Sequence, residues 1–142
     1  MSKSTATPKK RAQPKLADKS DERPRIFQLL RNILAAQVPP LTVTAETADR
    51  YELSTGKPME FMGKKRPNIY FGAVMVKGSF VGLYLMHVYI DPGRLDGIAP
   101  GLRRLLKGKS CFHIKKLDEI LVQEIGHAVE DGIACYRKMG FI

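Results

Sequence analysis

The sequence predicts an α+β fold: an antiparallel sheet of about five strands, with an N-terminal and a C-terminal helix packed on one of its faces. Three observations predict it. Apolar residues recur at spacings of three and four near both ends of the chain, the period of an amphipathic helix. Between them lie β-rich runs joined by short turn signals, and short connections favour antiparallel neighbours. The 142 residues, 44% of them hydrophobic, suffice for one domain with a real core.

Taken in order, residues 1–23 read as a disordered basic tail and residues 24–142 as the domain. The tail mixes Ser, Thr, Ala, Pro and Lys without an aromatic or a periodic apolar face, so it cannot offset the entropy of ordering. Of the net charge of +10, half sits on the first 25 residues, which hold 8 Lys/Arg against 3 Asp/Glu. The first helix is expected near Pro24 with Asp21 as a possible N-cap. Ile26, Leu29, Leu30, Ile33 and Leu34 form its stripe, and Val38-Pro39-Pro40 stops it. Leu41, Val43 and Ala45 alternate with threonines as a half-buried strand should, and Tyr51 and Leu53 suggest a second strand. Gly56-Lys57-Pro58 and residues 63–67 read as turn or loop.

Asn68–Val76 and Ser79–Ile90 read as a hairpin about Lys77-Gly78. Asp91-Pro92-Gly93 breaks the sheet. Pro100–Lys107 is expected as a short helix closed by Gly108, Ser110–Ile114 as the last strand, and Leu117–Met139 as a long helix. Gly140 stands at the C-cap of that helix, with Phe141 supplying the apolar contact that often follows.

Alternation on the hairpin puts Tyr70, Gly72, Val74, Val76, Val81, Leu83, Leu85 and His87 on one face. It puts Phe71, Ala73, Met75, Phe80, Gly82, Tyr84, Met86 and Val88 on the other. The Val/Leu face reads as core. The aromatic and Met face is apolar too, and three readings compete for it: cover by a loop such as residues 54–67, a dimer contact, or a groove for a ligand or partner.

Candidate chemistry is sparse. No phosphate-loop, dinucleotide, zincin or nucleophile-elbow pattern is present. Cys111 and His113 share a face two apart on the last strand, with Lys109 near enough to lower a thiol pKa. That spacing of about 7 Å is too long for direct proton transfer, and Cys-x-His lacks further ligands for a metal. A buried thiol beside a surface histidine is the simpler reading. Glu124, His127 and Asp131 share a flank of the last helix and read as surface charge pairing. His87, amid apolar residues, reads as a hydrogen-bonded structural residue. Lys64-Lys65-Arg66 and the run of Arg103, Arg104, Lys107 and Lys109 read as solvated charge able to meet phosphate.

From Asn68 onward the chain resembles the YdhG-like domain family, of largely unknown function. The residues that carry this are Tyr70-Phe71-Gly72-Ala73-Val74, Leu85-Met86-His87-Val88-Tyr89, Leu95-Asp96-Gly97-Ile98-Ala99-Pro100, Gly108-Lys109-Ser110-Cys111-Phe112 and Tyr136-Arg137-Lys138-Met139-Gly140. The resemblance implies a compact α/β domain in the cytosol, no established catalytic residues, and iron handling through a frataxin-like member. Against that, frataxin-type iron binding uses exposed carboxylates, whereas this chain is basic. Its only dense acidic run outside the last helix is Glu46, Asp49 and Glu52.

The resulting expectation is a cytoplasmic, non-catalytic binding domain. It would take a small ligand or a metal-loaded partner protein beside Tyr84, Met86, Lys109, Cys111 and His113, with iron as the one possible cofactor. The alternative is an adaptor held to nucleic acid or another polyanion by the basic tail, and a homodimer is open. No apolar run reaches the ~18–20 residues of a membrane span, and both cysteines are expected as free thiols.

Overall fold

The computed structural model describes residues 21–142, so most of the predicted basic tail lies outside the described residues. The elements run α1 (Arg23–Ala35), β1 (Thr42–Thr47), β2 (Arg50–Ser54), β3 (Met59–Phe61), β4 (Lys64–Arg66), β5 (Tyr70–Val76) and β6 (Val81–Leu85). Then follow α2 (His87–Ile90), a 3-10 segment (Pro92–Gly97), α3 (Pro100–Arg103), β7 (Leu106–Lys107), β8 (Cys111–Ile114) and α4 (Glu119–Lys138). Six strands form one sheet in the order β1-β2-β5-β6-β8-β7, every neighbour antiparallel, and β3 and β4 form a separate hairpin. The α+β architecture with both long helices on one sheet face is as the sequence predicts.

That face is the core. Tyr51, Leu53, Val74, Val81, Leu83, Leu85, Phe112 and Ile114 point into it and are buried. They meet Ile26, Phe27, Leu30 and Leu34 of α1 and Ile125, Val129, Ile133 and Tyr136 of α4. Asp118 is the N-cap of α4 and its carboxylate accepts from the Leu121 amide at 2.8 Å. At the far end Gly140 takes a φ of +79°, while its N–H and that of Phe141 donate to the Arg137 and Tyr136 carbonyls. This is the double-bonded C-terminal cap that the Gly-Phe pair predicts, and Phe141 lies edge-on to Tyr136 at 5.1 Å. Asp21 does not cap α1; the N-cap is Glu22, and Asp21 pairs with Arg23, which also clasps the carbonyls of Lys77 and Gly78.

Several expectations are corrected. The hairpin closes through residues 77–80, with Lys77 N–H donating to the Phe80 carbonyl, so Val76 pairs with Val81 rather than with Ser79. A slip of two preserves the faces. β6 ends at Leu85, and His87–Ile90 is a helical turn, not strand. The short helix ends at Arg103, and Gly108, at φ +74°, turns β7 into β8 instead of capping it. Residues 59–66, expected as turn or loop, form the β3–β4 hairpin.

The most consequential correction is at the start of β5. Leu53 pairs with Gly72 but Ser54 pairs with Tyr70, so Phe71 is the extra residue of a β-bulge. The bulge exchanges two aromatics between faces. Phe71 is fully buried, edge-on to Tyr136 at 5.1 Å. Tyr70 joins the opposite face, where Tyr84, Cys111, Glu52 and Arg50 are its charged and titratable neighbours.

Candidate functional site

The second sheet face is built from cross-strand rows. One runs Glu52–Ala73–Tyr84–Cys111–Lys107 across β2, β5, β6, β8 and β7. The next runs Arg50–Met75–Gly82–His113. Tyr70, Met75, Phe80 and Tyr84 stay partly exposed and take no part in the core cluster. The β3–β4 hairpin leans toward the C-terminus, with Phe61 edge-on to Phe141 at 5.4 Å and packed on the core. Among the described residues, then, loop cover by residues 54–67 is not how this face is completed.

Local sequence explains the posture of its aromatics. Gly82 has no side chain, and the Tyr84 ring lies along the strand into that vacancy: a Cβ at 82 would sit 3.0 Å from ring carbon Cε1. The ring is laid down on the sheet rather than standing on it. The His113 imidazole stacks on Phe80, with centroids 3.8 Å apart and planes 14° apart. Burial pushes the Tyr70 phenol up, Glu52 adding to the effect and Arg50 opposing it. Burial, then the neighbouring Cys111 thiol, raises Tyr84. Both phenols are neutral at physiological pH.

The five residues singled out from sequence separate into two groups. Tyr84 and Cys111 are direct cross-strand partners, and His113 lies one row on. Met86 leaves the sheet as the N-cap of α2, and Lys109 sits in the β7–β8 turn with its ammonium 5.7 Å above the Tyr89 ring. Met86 and Lys109 therefore do not join the row. The stacking of His113 on Phe80 engages its ring away from a nucleophile–base pairing with Cys111.

At the β7–β8 edge the face meets a groove of about 830 Å³ between the sheet edge, α3 and the first turn of α4. Arg104, Lys107, Lys115 and Lys116 line it, with His113 at the junction with the open face. Leu105, Leu121 and Ile120 give it an apolar wall; Ile120 is 68% exposed, the most of any large apolar side chain among the described residues. Its two carboxylates already have work. Asp118 caps α4, and Glu124 accepts from the Leu102 amide at 2.8 Å. Gly101 makes that second contact possible, since a Cβ there would sit 2.6 Å from Glu124 Oε1. Among the described residues none of the four cations has a hydrogen-bonded or ion-pair partner. Sequence reasoning found Arg104 and Lys107 as part of a basic run but missed Lys115, Lys116, Ile120 and Leu121, which only the packing of α4 beside β8 brings to them.

The remaining histidines resolve differently. Glu124, His127 and Asp131 do not act together: Glu124 turns to α3, Asp131 pairs with Arg94 at 2.6 Å, and His127 is exposed. His87 is fully buried, and neither ring nitrogen has a hydrogen-bond partner, contrary to the expected hydrogen-bonded role. Its Nε2 is 3.6 Å from Asp131, and burial drives its pKa down to about 4. Among the described residues no group of three or more His, Cys, Asp or Glu could hold a metal, and no helix is long and apolar enough to cross a membrane. Comparison with family models, curated proteins and solved structures returns no match.

Proposed function

We propose that the domain is a non-catalytic binding protein for a small anionic ligand with an apolar portion, seated in the groove at the β7–β8 edge. The observation that carries this reading is a charge imbalance. Four cations surround the groove without partners among the described residues, while both lining carboxylates are held by backbone N–H groups. Unpaired cations over a concave, partly apolar wall favour a ligand of opposite charge. Iron handling gains no such support, since no ligand cluster gathers among the described residues.

Thermal denaturation of the full chain with pyrophosphate, citrate and a medium-chain carboxylate tests this. The midpoint should rise by several degrees with at least one of them at saturating concentration. Lys115→Glu with Lys116→Glu should abolish the rise while the unliganded midpoint stays within a few degrees. A rise that persists in that double variant would move the anion site elsewhere and overturn the reading.

A further inference from the structure

We infer that the open sheet face is a stacking platform for the bases of a single-stranded nucleic acid, whose phosphates run into the basic groove. This rests on the reading of the groove above and names its ligand class.

Three observations converge. First, the aromatic groups are on adjacent central strands and lie in a posture suited to stacking. Tyr84 leans over Gly82, with Cε1, Cζ and the hydroxyl within 3.5 Å of where a Cβ there would sit, and Tyr70 lies close by on β5. A base needs a flat π-surface of this kind and little else, because every base has one. Second, the platform and the groove are continuous. The row Ala73–Tyr84–Cys111 ends on Lys107, and Lys107 lines the groove. His113 likewise extends the row from Gly82, stacks on Phe80 and reaches the groove. Third, the charge is on the correct side. The four groove cations, without ion-pair partners among the described residues, cluster at the β7–β8 edge, while on β2, toward the other side of the sheet, Arg50 is paired with Glu52. A strand with its bases on the tyrosines would thus find a cluster of cations for its phosphates at the β7–β8 edge. A second protein copy would find the same apolar face but no use for the cations beside it. Duplex fits poorly, since its bases stack on each other and offer no free π-face to a flat sheet.

Fluorescence anisotropy of the full chain with labelled ten-nucleotide dT and rU strands, beside the pyrophosphate thermal shift, tests the proposal. Binding to either strand is expected, with log K falling against log salt at a slope of about −2 to −3 for the four cations. Tyr84→Leu should weaken oligonucleotide binding roughly tenfold and leave the pyrophosphate shift intact; Tyr84→Phe should restore it. Because the chain has no tryptophan, quenching of tyrosine emission by the strand gives an independent readout in the unaltered protein. A pyrophosphate shift with no oligonucleotide binding, or with equal affinity in Tyr84→Leu, would overturn the platform and spare the groove. Loss of the pyrophosphate shift as well would remove both. Self-association that Tyr84→Leu abolishes, without oligonucleotide binding, would assign the face to a second copy.

Discussion

His87 occupies the space that a side chain at Gly132 would need. A Cβ on Gly132 would lie 2.7 Å from His87 Nδ1 and 3.0 Å from Phe71 Cζ. Helix propensity favours alanine in the middle of α4 by about 1 kcal/mol, but overpacking a core costs about 1–3 kcal/mol. Gly132→Ala should therefore destabilise by up to about 2 kcal/mol in chemical denaturation. Combining it with His87→Ala should recover part of that loss, giving a coupling term in a double-mutant cycle.

The same histidine makes stability depend on pH. Its folded pKa of about 4 lies below its ordinary 6.5, chiefly because burial disfavours the imidazolium. Asp131 and Asp91 pull the other way, and Arg94 adds to the depression. Between those values the unfolded chain binds the extra proton, so unfolding becomes easier as pH falls. The full stability contribution is present above about 6.5 and lost on approach to 4, by up to about 3 kcal/mol. Urea midpoints across pH 4 to 7 should show this slope, and His87→Leu should flatten it.

Gly82 sets the posture of Tyr84. Gly82→Val should lift the ring off the sheet, with a stability change of about 1 kcal/mol in either direction, since better strand propensity opposes the clash. Tyrosine emission and quenching by acrylamide should both report the more exposed ring.

Asp118 offers a prediction with opposed signs. Asp118→Ala removes the cap on α4 and should cost about 1 kcal/mol. It also removes a negative charge from the groove lining, so affinity for pyrophosphate should rise several-fold as stability falls. Calorimetry on the unaltered protein and on Asp118→Ala, with and without pyrophosphate, separates the two effects.

Gly140→Ala should cost about 1 kcal/mol by forcing a left-handed φ on a residue with a Cβ, and it should loosen the contact of Phe141 with Tyr136. A thermal melt reads this directly.

Periodicity carried most of the fold. The α1 and α4 stripes, the alternating β5 and β6 faces and the Gly140-Phe141 cap were legible because each is a local pattern with a local cause. The β3–β4 hairpin was not. Its turn places Met62 and Gly63 at φ +53° and +78°, a conformation that asparagine or glycine usually announces and methionine conceals. His87 misled because a buried imidazole without hydrogen bonds departs from the general rule for polar groups. Of the site, Tyr84, Cys111 and His113 could be placed on one face by counting alone. The groove could not, since its cations come from α3, β7 and the β8–α4 connection, and only their packing assembles them.

The bulge at Phe71 acts as a one-residue gear in β5. Upstream of it, inside and outside are exchanged relative to the downstream strand, so Tyr70 reaches water while its neighbour fills the interior. With regular alternation in place of the bulge, the phenol would turn inward against Tyr136 and a bare phenyl ring would face solvent. Chain length at that point, more than the identity of either aromatic, decides what the exterior of this sheet offers.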